Sequence, residues 1–187
     1  MKIRRVVTGH DSGGRSVVAS DSEVEATSVA LLPGTAFYLL WGADRAPRFP
    51  DEGAPPASVE FFPPRGGFRF MTFTVPPESE LVRPEGGGEA LVTEMQQKLP
   101  GLLAHMERSS PGMHTTDTID FEYVIAGEVW LELDGGKEVH LKAGDTVVQN
   151  GTRHAWRNHS RTPCRIVVFM LGTEREPPGL ELAARRG

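Results

Sequence analysis

The sequence predicts an all-β fold, a barrel or sandwich of antiparallel strands, and residues 110–172 carry the clearest pattern. Apolar residues recur there at every second position, in short runs that Gly-rich turns separate. Residues 129–133 alternate in this way ahead of an Asp-Gly-Gly turn at 134–136. About six strands fit at the spacing expected of an all-β domain.

The second half of this stretch carries a recognisable motif. Its matching residues are Gly144, Asp145, Gly151, His154 and Asn158. In type and spacing they resemble the second motif of the cupin superfamily, whose members are jelly-roll barrels (double-stranded β-helices) that usually hold a divalent metal. The resemblance implies that His154 is a metal ligand. Gln149 stands where that motif usually has Pro.

The first half matches the first cupin motif in part. His114 stands for its first ligand His, Val124 for its inward apolar residue and Gly127 for its closing Gly. Thr116 occupies the position of the second ligand His, and Asp120 that of the usual Glu. The chain is similar to single-barrel bacterial cupins of mostly unassigned function. This resemblance implies the fold but not the reaction, because one fold hosts many chemistries.

Length and composition predict a soluble, cytoplasmic domain. The 187 residues suffice for one core without disulfides, and the lone Cys164, in an apolar strand, is expected to be a buried thiol. The net charge of −5 argues against a nucleic-acid partner. The basic start is not followed by an apolar signal region, and Pro33-Gly34 interrupts the longest apolar stretch, so no membrane partner is expected either.

Residues 1–88 are predicted to extend the barrel with further strands and loops. The predicted elements are a hairpin of 3–8 and 15–19 with His10 in its turn, a polar connection at 21–26, and strands at 29–32, 35–41 and 67–75. These strands exceed what a minimal barrel uses. We therefore expect them to extend the barrel sheets or to pair across a subunit boundary, which favours a homodimer.

One helix is predicted before the cupin core (109–172), over residues 89–108. Leu91, Met95, Leu99, Leu102 and Met106 form its apolar stripe. Pro100 is expected to kink or split the helix at Leu99. His105 is expected to have a capping or surface role near its end.

Two other segments are predicted to lack regular structure. The loop at 42–58 is rich in Pro, Gly and charge, and is either a linker or a lid over a pocket. The tail at 173–187 is polar and is expected to be draped over the barrel or frayed.

The barrel interior is predicted to hold a polar cluster. Because strand side chains alternate, one face of the first motif carries His114, Thr116, Thr118, Asp120, Glu122 and Val124. The resemblance implies that this face points inward. The same parity places His154, Trp156 and Asn158 together. Such a cluster costs several kcal/mol unless its members pair or bind something.

The first interpretation of this cluster is a metal centre. His114, His154 and Asp120 supply two imidazoles and a carboxylate, a set that suits Fe, Mn or Zn and leaves positions for substrate. Thr116 would orient a water or substrate, and Glu122 would be the acid or base. Trp156 would form an apolar wall, and the proposed substrate contacts also include Thr118, Gln149 and Arg157.

Other interpretations of the cluster remain open. A metal-free pair of coupled carboxyls, Asp120 and Glu122, about 7 Å apart between Cα atoms, would act as acid and base with a His partner. Alternatively, His114 hydrogen-bonds to one of these carboxyls in a satisfied polar core. Arg153 or Arg157 is either a solvated rim residue or a clamp for a substrate carboxylate.

The sequence thus predicts a barrel that binds a small organic molecule, as a metal-assisted oxygenase, isomerase or lyase, or as a metal-free binding or sensing protein. An inward Glu122 near both imidazoles would favour chemistry over mere binding. A DNA-binding regulator is disfavoured, since no second helix follows the first after a turn. The substrate, the ion and the reaction stay undetermined.

Overall fold

The structure, a computed structural model, describes residues 2–55, 60–82, 86 and 88–176. The described elements are β1 (Ile3–His10), β2 (Ser16–Val24), β3 (Phe37–Ala43), β4 (Phe68–Val75), α1 (Gly88–Lys98), α2 (Leu102–His105), β5 (Thr118–Ala126), β6 (Glu128–Glu132), β7 (Glu138–Lys142), β8 (Thr146–Asn150), β9 (Ala155–Arg157) and β10 (Cys164–Gly172). Single 3₁₀ turns lie at Glu78–Glu80 and Asp134–Gly136.

Two sheets form the barrel. The five-stranded sheet has the order β3-β4-β10-β5-β8 and the three-stranded sheet the order β7-β6-β9, while β1 and β2 form a separate hairpin. All neighbouring strands run antiparallel. Buried side chains from both sheets meet in one core, namely Val124, Val129, Leu131, Leu141, Cys164 and Ile166. The all-β jelly-roll prediction is confirmed.

The N-terminal strands extend the barrel as predicted. β3 pairs with β4, and β4 pairs with β10, so both belong to the five-stranded sheet. The hairpin also forms, but β2 continues to Val24 where a polar connection was expected, and His10 is the last residue of β1. The predicted strand at 29–32 is wrong. It is a turn, in which the Leu32 N–H donates to the Val29 carbonyl.

The predicted helix is split, and its end was placed too late. α1 stops at Lys98 and α2 starts at Leu102, because Pro100 has no N–H to continue the helical ladder. Residues 106–108 are not helical, since Met106 instead bridges to His114. Met95, Leu99 and Leu102 pack with Val29 and Phe37, so the helices cover part of the barrel.

The loop after β3 lies on the hairpin instead of the barrel interior. The Asp51 carbonyl accepts a hydrogen bond from the His10 N–H at 2.7 Å. None of the described residues of the 42–58 loop lines the pocket considered below, and residues 56–59 fall outside the described residues. Of the tail, Arg175 pairs with Asp117, and residues 177–187 also fall outside the described residues.

Two motif glycines are required by their turns. Gly127 has φ 78°, and a Cβ there would lie 2.8 Å from the Pro163 carbonyl oxygen. Gly151 has φ 57°, and its Cβ would lie 2.9 Å from the Thr116 carbonyl oxygen. Both positions therefore combine left-handed backbone with a close approach that only Gly tolerates. Within the described ranges, no helix is long and apolar enough to cross a membrane.

Asn158 is expected to be a structural anchor. Its buried amide donates to the Val75 and Thr162 carbonyls at 2.8 and 2.9 Å, and its Oδ1 accepts from Ser160. We expect Asn158→Ala to lower the free energy of unfolding by about 2–4 kcal/mol, because several buried partners are left unsatisfied. Urea denaturation measures this. The exposed Asn150→Ala is the control, and an equal loss in both variants would contradict the anchor role.

Candidate functional site

A largely apolar pocket of about 170 Å³ lies between the inner face of the five-stranded sheet, β9 and α2. Its polar side chains include His114, Asp120, Glu122 and His154. Trp156 and several apolar side chains form the rest, among them Phe37, Phe61, Phe62, Phe73, Leu102 and Met106. The structure therefore brings five of the predicted site residues into one cavity.

Backbone pairing places the two imidazoles side by side. The N–H groups of His114 and His154 each donate to the other residue's carbonyl, at 2.9 and 3.0 Å. Their ring centroids are 4.2 Å apart. These bonds join two chain segments that are 40 residues apart in sequence, and both rings line the pocket at this point.

Carbonyl groups fix the tautomer of both rings. His114 Nδ1 lies 3.1 Å from the Gly112 carbonyl oxygen, and His154 Nδ1 lies 2.8 Å from that of Thr152. A carbonyl only accepts, so each Nδ1 carries the proton and each Nε2 keeps its lone pair. Burial lowers the pKa of His114. Burial, together with the neighbouring His114, lowers the pKa of His154 to about 4. Both rings are therefore neutral hydrogen-bond acceptors at neutral pH.

The two carboxyls on β5 are buried without full satisfaction. Asp120 is 4% exposed and Glu122 6% exposed, and neither Asp120 Oδ1 nor Glu122 Oε2 has a hydrogen-bond partner among the described residues. Burial raises the pKa of Asp120 to about 6. A hydrogen bond from Thr118 acts in the opposite direction and lowers this pKa. Burial and then the charge of Asp120 raise the pKa of Glu122 well above its usual range. The structure thus does not show the satisfied core in which His114 bonds a carboxyl.

Three predicted site residues face one another or the backbone instead of the pocket. Thr116 and Thr118 are buried, and their hydroxyl oxygens lie 2.8 Å apart. Gln149 donates to the Thr152 carbonyl at 3.1 Å. None of the three lines the pocket, so the geometry assigns them to supporting the His154 loop and the start of β5.

The two arginines beside the pocket are already paired. Arg157 donates to Glu132 and, at 2.9 Å, to the Pro111 carbonyl. Arg153 donates to both carboxylate oxygens of Glu107, at 2.6 and 2.7 Å. They hold the segment that leads into His114 against the three-stranded sheet. Neither lines the pocket, and the geometry does not make either a clamp for a substrate carboxylate.

Sequence reasoning missed the aromatic wall contributed by other segments. The Phe62 ring stacks at 6.2 Å from His114, and the Phe73 ring lies 6.4 Å from Trp156. His105, expected at the surface or as a cap, is half-buried with its ring edge on Phe62 at 4.8 Å. No local pattern marks these residues, because only the tertiary fold brings them to the cupin motif.

The three-ligand metal set predicted from the sequence is only partly assembled. The two Nε2 atoms have the tautomer that a metal ligand needs. However, the described residues contain no group of three or more His, Cys, Asp or Glu side chains placed to hold an ion. Asp120 shares the pocket with the two imidazoles but does not complete a site with them in this arrangement.

Comparison with known families identifies the part of the chain that holds the histidine pair. The family model described as a cupin domain matches residues 103–170. This chain contains a cupin domain. The match spans α2 and β5 to β10, so the cupin domain includes both imidazoles and both carboxyls of the pocket.

Curated relatives match a short part of the chain. Oryzines biosynthesis cluster protein J of Aspergillus oryzae is 52% identical over 52 residues, which are 28% of this chain and 29% of that protein. Phomopsin biosynthesis cluster protein C' of Diaporthe leptostromiformis is 48% identical over 58 residues, 31% of each chain. The match therefore spans about three tenths of the length of these relatives.

Solved structures match the chain at low sequence identity. The polyketide cyclase RemF from Streptomyces resistomycificus is 20% identical with a TM-score of 0.44, over 82% of this chain and 77% of that one. A Cupin 2 conserved barrel domain protein from Salinispora arenicola is 16% identical with a TM-score of 0.39, over 77% and 81%. Similarity at this level says nothing about the substrate.

The buried Asp120 is expected to make stability depend on pH. Its pKa is higher in the folded protein, about 6, than its ordinary 3.8, so the folded state loses stability as pH rises between these values. We expect Asp120→Asn to raise the free energy of unfolding at pH 8 by up to about 3 kcal/mol, the worth of that pKa difference, and by little at pH 4.

Urea denaturation at both pH values measures this effect. The exposed Glu80→Gln, which removes the same charge, should change stability little at either pH. A gain for Asp120→Asn that is the same at pH 4 and pH 8 would contradict the buried-charge account.

Proposed function

We propose that the cupin domain binds a small, largely apolar organic molecule and moves a proton on it through Asp120 and Glu122. The observation that carries this proposal is the pair of unpartnered carboxyl oxygens in an apolar pocket that both imidazoles also line. Buried polar groups without partners cost stability. A ligand that hydrogen-bonds to them would offset that cost.

The two carboxyls suit opposite roles. Burial and the charge of Asp120 raise the pKa of Glu122 well above its usual range, which favours its protonated form and the role of acid, while Asp120, with a pKa of about 6, is mostly a carboxylate at neutral pH. Asp120 would take a proton from a carbon beside a carbonyl, as Glu122 gives its proton to the carbonyl oxygen. Delivery of the Asp120 proton to a different carbon of a conjugated enol, as Glu122 takes back the enol proton, gives an isomerised product. Departure of a β-substituent as Glu122 takes back the enol proton, with the Asp120 proton going to the leaving group, gives a lyase reaction.

The pocket limits the size and charge of the substrate. A cavity of about 170 Å³ is close to the roughly 150 Å³ that holds a benzene ring. No Lys or Arg is among its lining residues within the described chain, and two carboxyls are. We therefore infer a neutral one-ring compound, with Trp156 and Phe62 against its faces.

Two further features are consistent with this proposal. The curated relatives are named for the biosynthesis clusters of oryzines and phomopsin, which supports a role in making a small molecule.

Cys164 is fully buried, and burial raises its pKa to about 11, so it is not a nucleophile for this chemistry. A lone thiol of this kind also favours the cytoplasm as the protein's location.

Glu122→Gln is expected to separate binding from chemistry. The amide fills the same space but supplies no acid, so proton transfer should fall by about 100-fold or more while ligand affinity changes only a few-fold. NMR measures the transfer as deuterium incorporation from D2O into one-ring ketones such as 2-cyclohexen-1-one, and calorimetry measures their binding.

The control is Glu80→Gln, which should exchange deuterium at the wild-type rate. Exchange by Glu122→Gln at the wild-type rate would contradict the assignment of the acid. Binding of these ketones with no exchange in any variant would favour the alternative function, a binding or sensing barrel without catalysis.

Metal-assisted catalysis is the second candidate function. It is favoured by one observation, the two Nδ1–H groups held by carbonyls so that both Nε2 atoms are free to bind. His114 and His154 would hold the ion with Asp120. A Zn, Mn or Fe ion there would supply Lewis-acid chemistry to an isomerase or lyase, and an Fe or Mn ion would supply the redox chemistry of an oxygenase. Thr116 would orient a water or substrate at this site only if its hydroxyl no longer formed the hydrogen bond with the Thr118 hydroxyl.

Elemental analysis of the purified protein decides between the two candidates. For the metal enzyme, Fe, Mn or Zn is expected near one ion per chain and should vanish in His154→Ala but persist in His140→Ala, whose ring lies on the outer surface against Trp130. No bound metal after reconstitution with excess ion would exclude this candidate and leave the acid–base proposal standing.

A further inference from the structure

Arg175, just beyond β10, donates hydrogen bonds to both chain segments that carry the imidazoles. Its Nη2 lies 2.6 Å from the Thr116 carbonyl oxygen and 2.8 Å from the Gly151 carbonyl oxygen. Thr116 lies two residues after His114, and Gly151 lies three residues before His154. One nitrogen atom therefore joins the two segments, and it does so from outside the pocket, which Arg175 does not line.

The segment after β10 holds this side chain in place. The N–H and the hydroxyl of Thr173 both donate to the Asp117 carbonyl, at 2.8 and 3.1 Å. The Asp117 carboxylate accepts a hydrogen bond from Arg175 Nε. The planar guanidinium is thus bound along two of its edges, which fixes its orientation although the side chain is 45% exposed.

The Thr116 contact leads to Asp120, the base of the proposed reaction, through two hydroxyls. Thr116 Oγ1 lies 2.8 Å from Thr118 Oγ1, and the Thr118 side chain donates a hydrogen bond to Asp120. Since the Thr118 hydroxyl has one hydrogen and gives it to Asp120, it accepts from Thr116. Asp120 Oδ1 has no partner among the described residues and stays available to a ligand. The position of the Thr116 backbone therefore influences how Asp120 is oriented.

The Gly151 contact leads to the His154 ring through the following peptides. The Gly151 carbonyl and the Thr152 N–H belong to one rigid peptide plane. The carbonyl of Thr152 itself lies 2.8 Å from His154 Nδ1 and fixes the ring. Gly151 has φ 57°, and glycine permits more backbone conformations than any other residue, so a hydrogen bond to its carbonyl restricts rotation that glycine alone leaves free.

We propose that Arg175 is a positioning residue of the pocket, which orients Asp120 and the His154 ring without touching the ligand. The inference rests on the proposed function, because it concerns the same base and the same cavity. Its effect on the reaction is indirect, since its acceptors are two backbone carbonyls and the carboxylate of Asp117. Such an effect can be large, because a misplacement of about 1 Å can slow a reaction by about 100-fold.

Arg175→Met tests the proposal in the full chain. The variant keeps a long side chain but has no donors, so Asp120 and His154 should lose their fixed orientation. Deuterium exchange into 2-cyclohexen-1-one at saturation, measured by NMR, should fall about 10-fold, while the Kd from calorimetry changes only a few-fold. Arg161→Met is the matched control. It removes an exposed arginine between β9 and β10 and should exchange at the wild-type rate.

A second measurement separates positioning from a contribution to stability alone. Nitrogen-15 NMR reports the tautomer of each imidazole. In Arg175→Met the His154 signals should shift towards a mixture of both tautomers, and in Arg161→Met they should match the wild type. Circular dichroism melting shows whether each variant is folded. If Arg175→Met does not fold, Asp117→Ala, which removes the carboxylate that orients the guanidinium, should shift the His154 signals to a smaller extent.

A folded Arg175→Met variant with wild-type exchange and wild-type His154 signals would overturn the proposal. A lower melting temperature would not rescue it, since the side chain would then only stabilise the fold. A wild type that binds the ketone but exchanges no deuterium would count against the proposed function instead. In that case shifted His154 signals in Arg175→Met would support the positioning role, and unchanged signals would overturn it.

Discussion

The two backbone hydrogen bonds between His114 and His154 are the interaction on which the site depends. They join the segment that enters β5 to the loop that enters β9, and so connect the two sheets of the barrel at the pocket. Each imidazole is then fixed by a carbonyl two residues before it in the chain, Gly112 for one and Thr152 for the other. Position and tautomer therefore both follow from main-chain geometry, which side-chain substitutions disturb little.

Side-chain hydrogen bonds from neighbouring elements stabilise the segments that carry His114 and His154. Arg153 and Arg157 fasten the preceding segment through Glu107 and the Pro111 carbonyl. Asn158 ties the loop after β9 to the end of β4 through the Val75 carbonyl. These polar contacts surround the site, while one oxygen of each pocket carboxyl has no hydrogen-bond partner among the described residues. Burial of the two acids lowers the stability of the barrel, and the hydrogen bonds around the site offset this loss.

β5 links the two surfaces of the molecule. Its burial alternates along the whole strand, with Asp120 and Glu122 inward and Phe121 and Tyr123 outward. The inward residues give the pocket its chemistry, and the outward residues give the sheet an apolar exterior. One strand with a period of two thus serves two surfaces, and substitutions on either side leave the other side chains in place.

Much of the fold was determined by the sequence alone. The alternation predicted β5 to β10, the motif glycines marked turns that only Gly tolerates, and Pro100 marked the break between the helices. The inward set from His114 to Val124 was predicted from parity and the cupin resemblance. These are local properties, and a strand's period or a missing N–H acts within a few residues whatever surrounds it.

Only the tertiary structure decided which inward residues reach the pocket. Thr116 and Thr118 have the same parity as Asp120 and Glu122, yet the two hydroxyls bond each other while one oxygen of each carboxyl has no hydrogen-bond partner among the described residues. Phe62 and Leu102 join the wall from distant segments, and residues 29–32 turn where their apolar run predicted a strand. Parity assigns a side chain to one face of a strand. What it meets there depends on the register of strands and helices far away in the sequence, which no local pattern encodes.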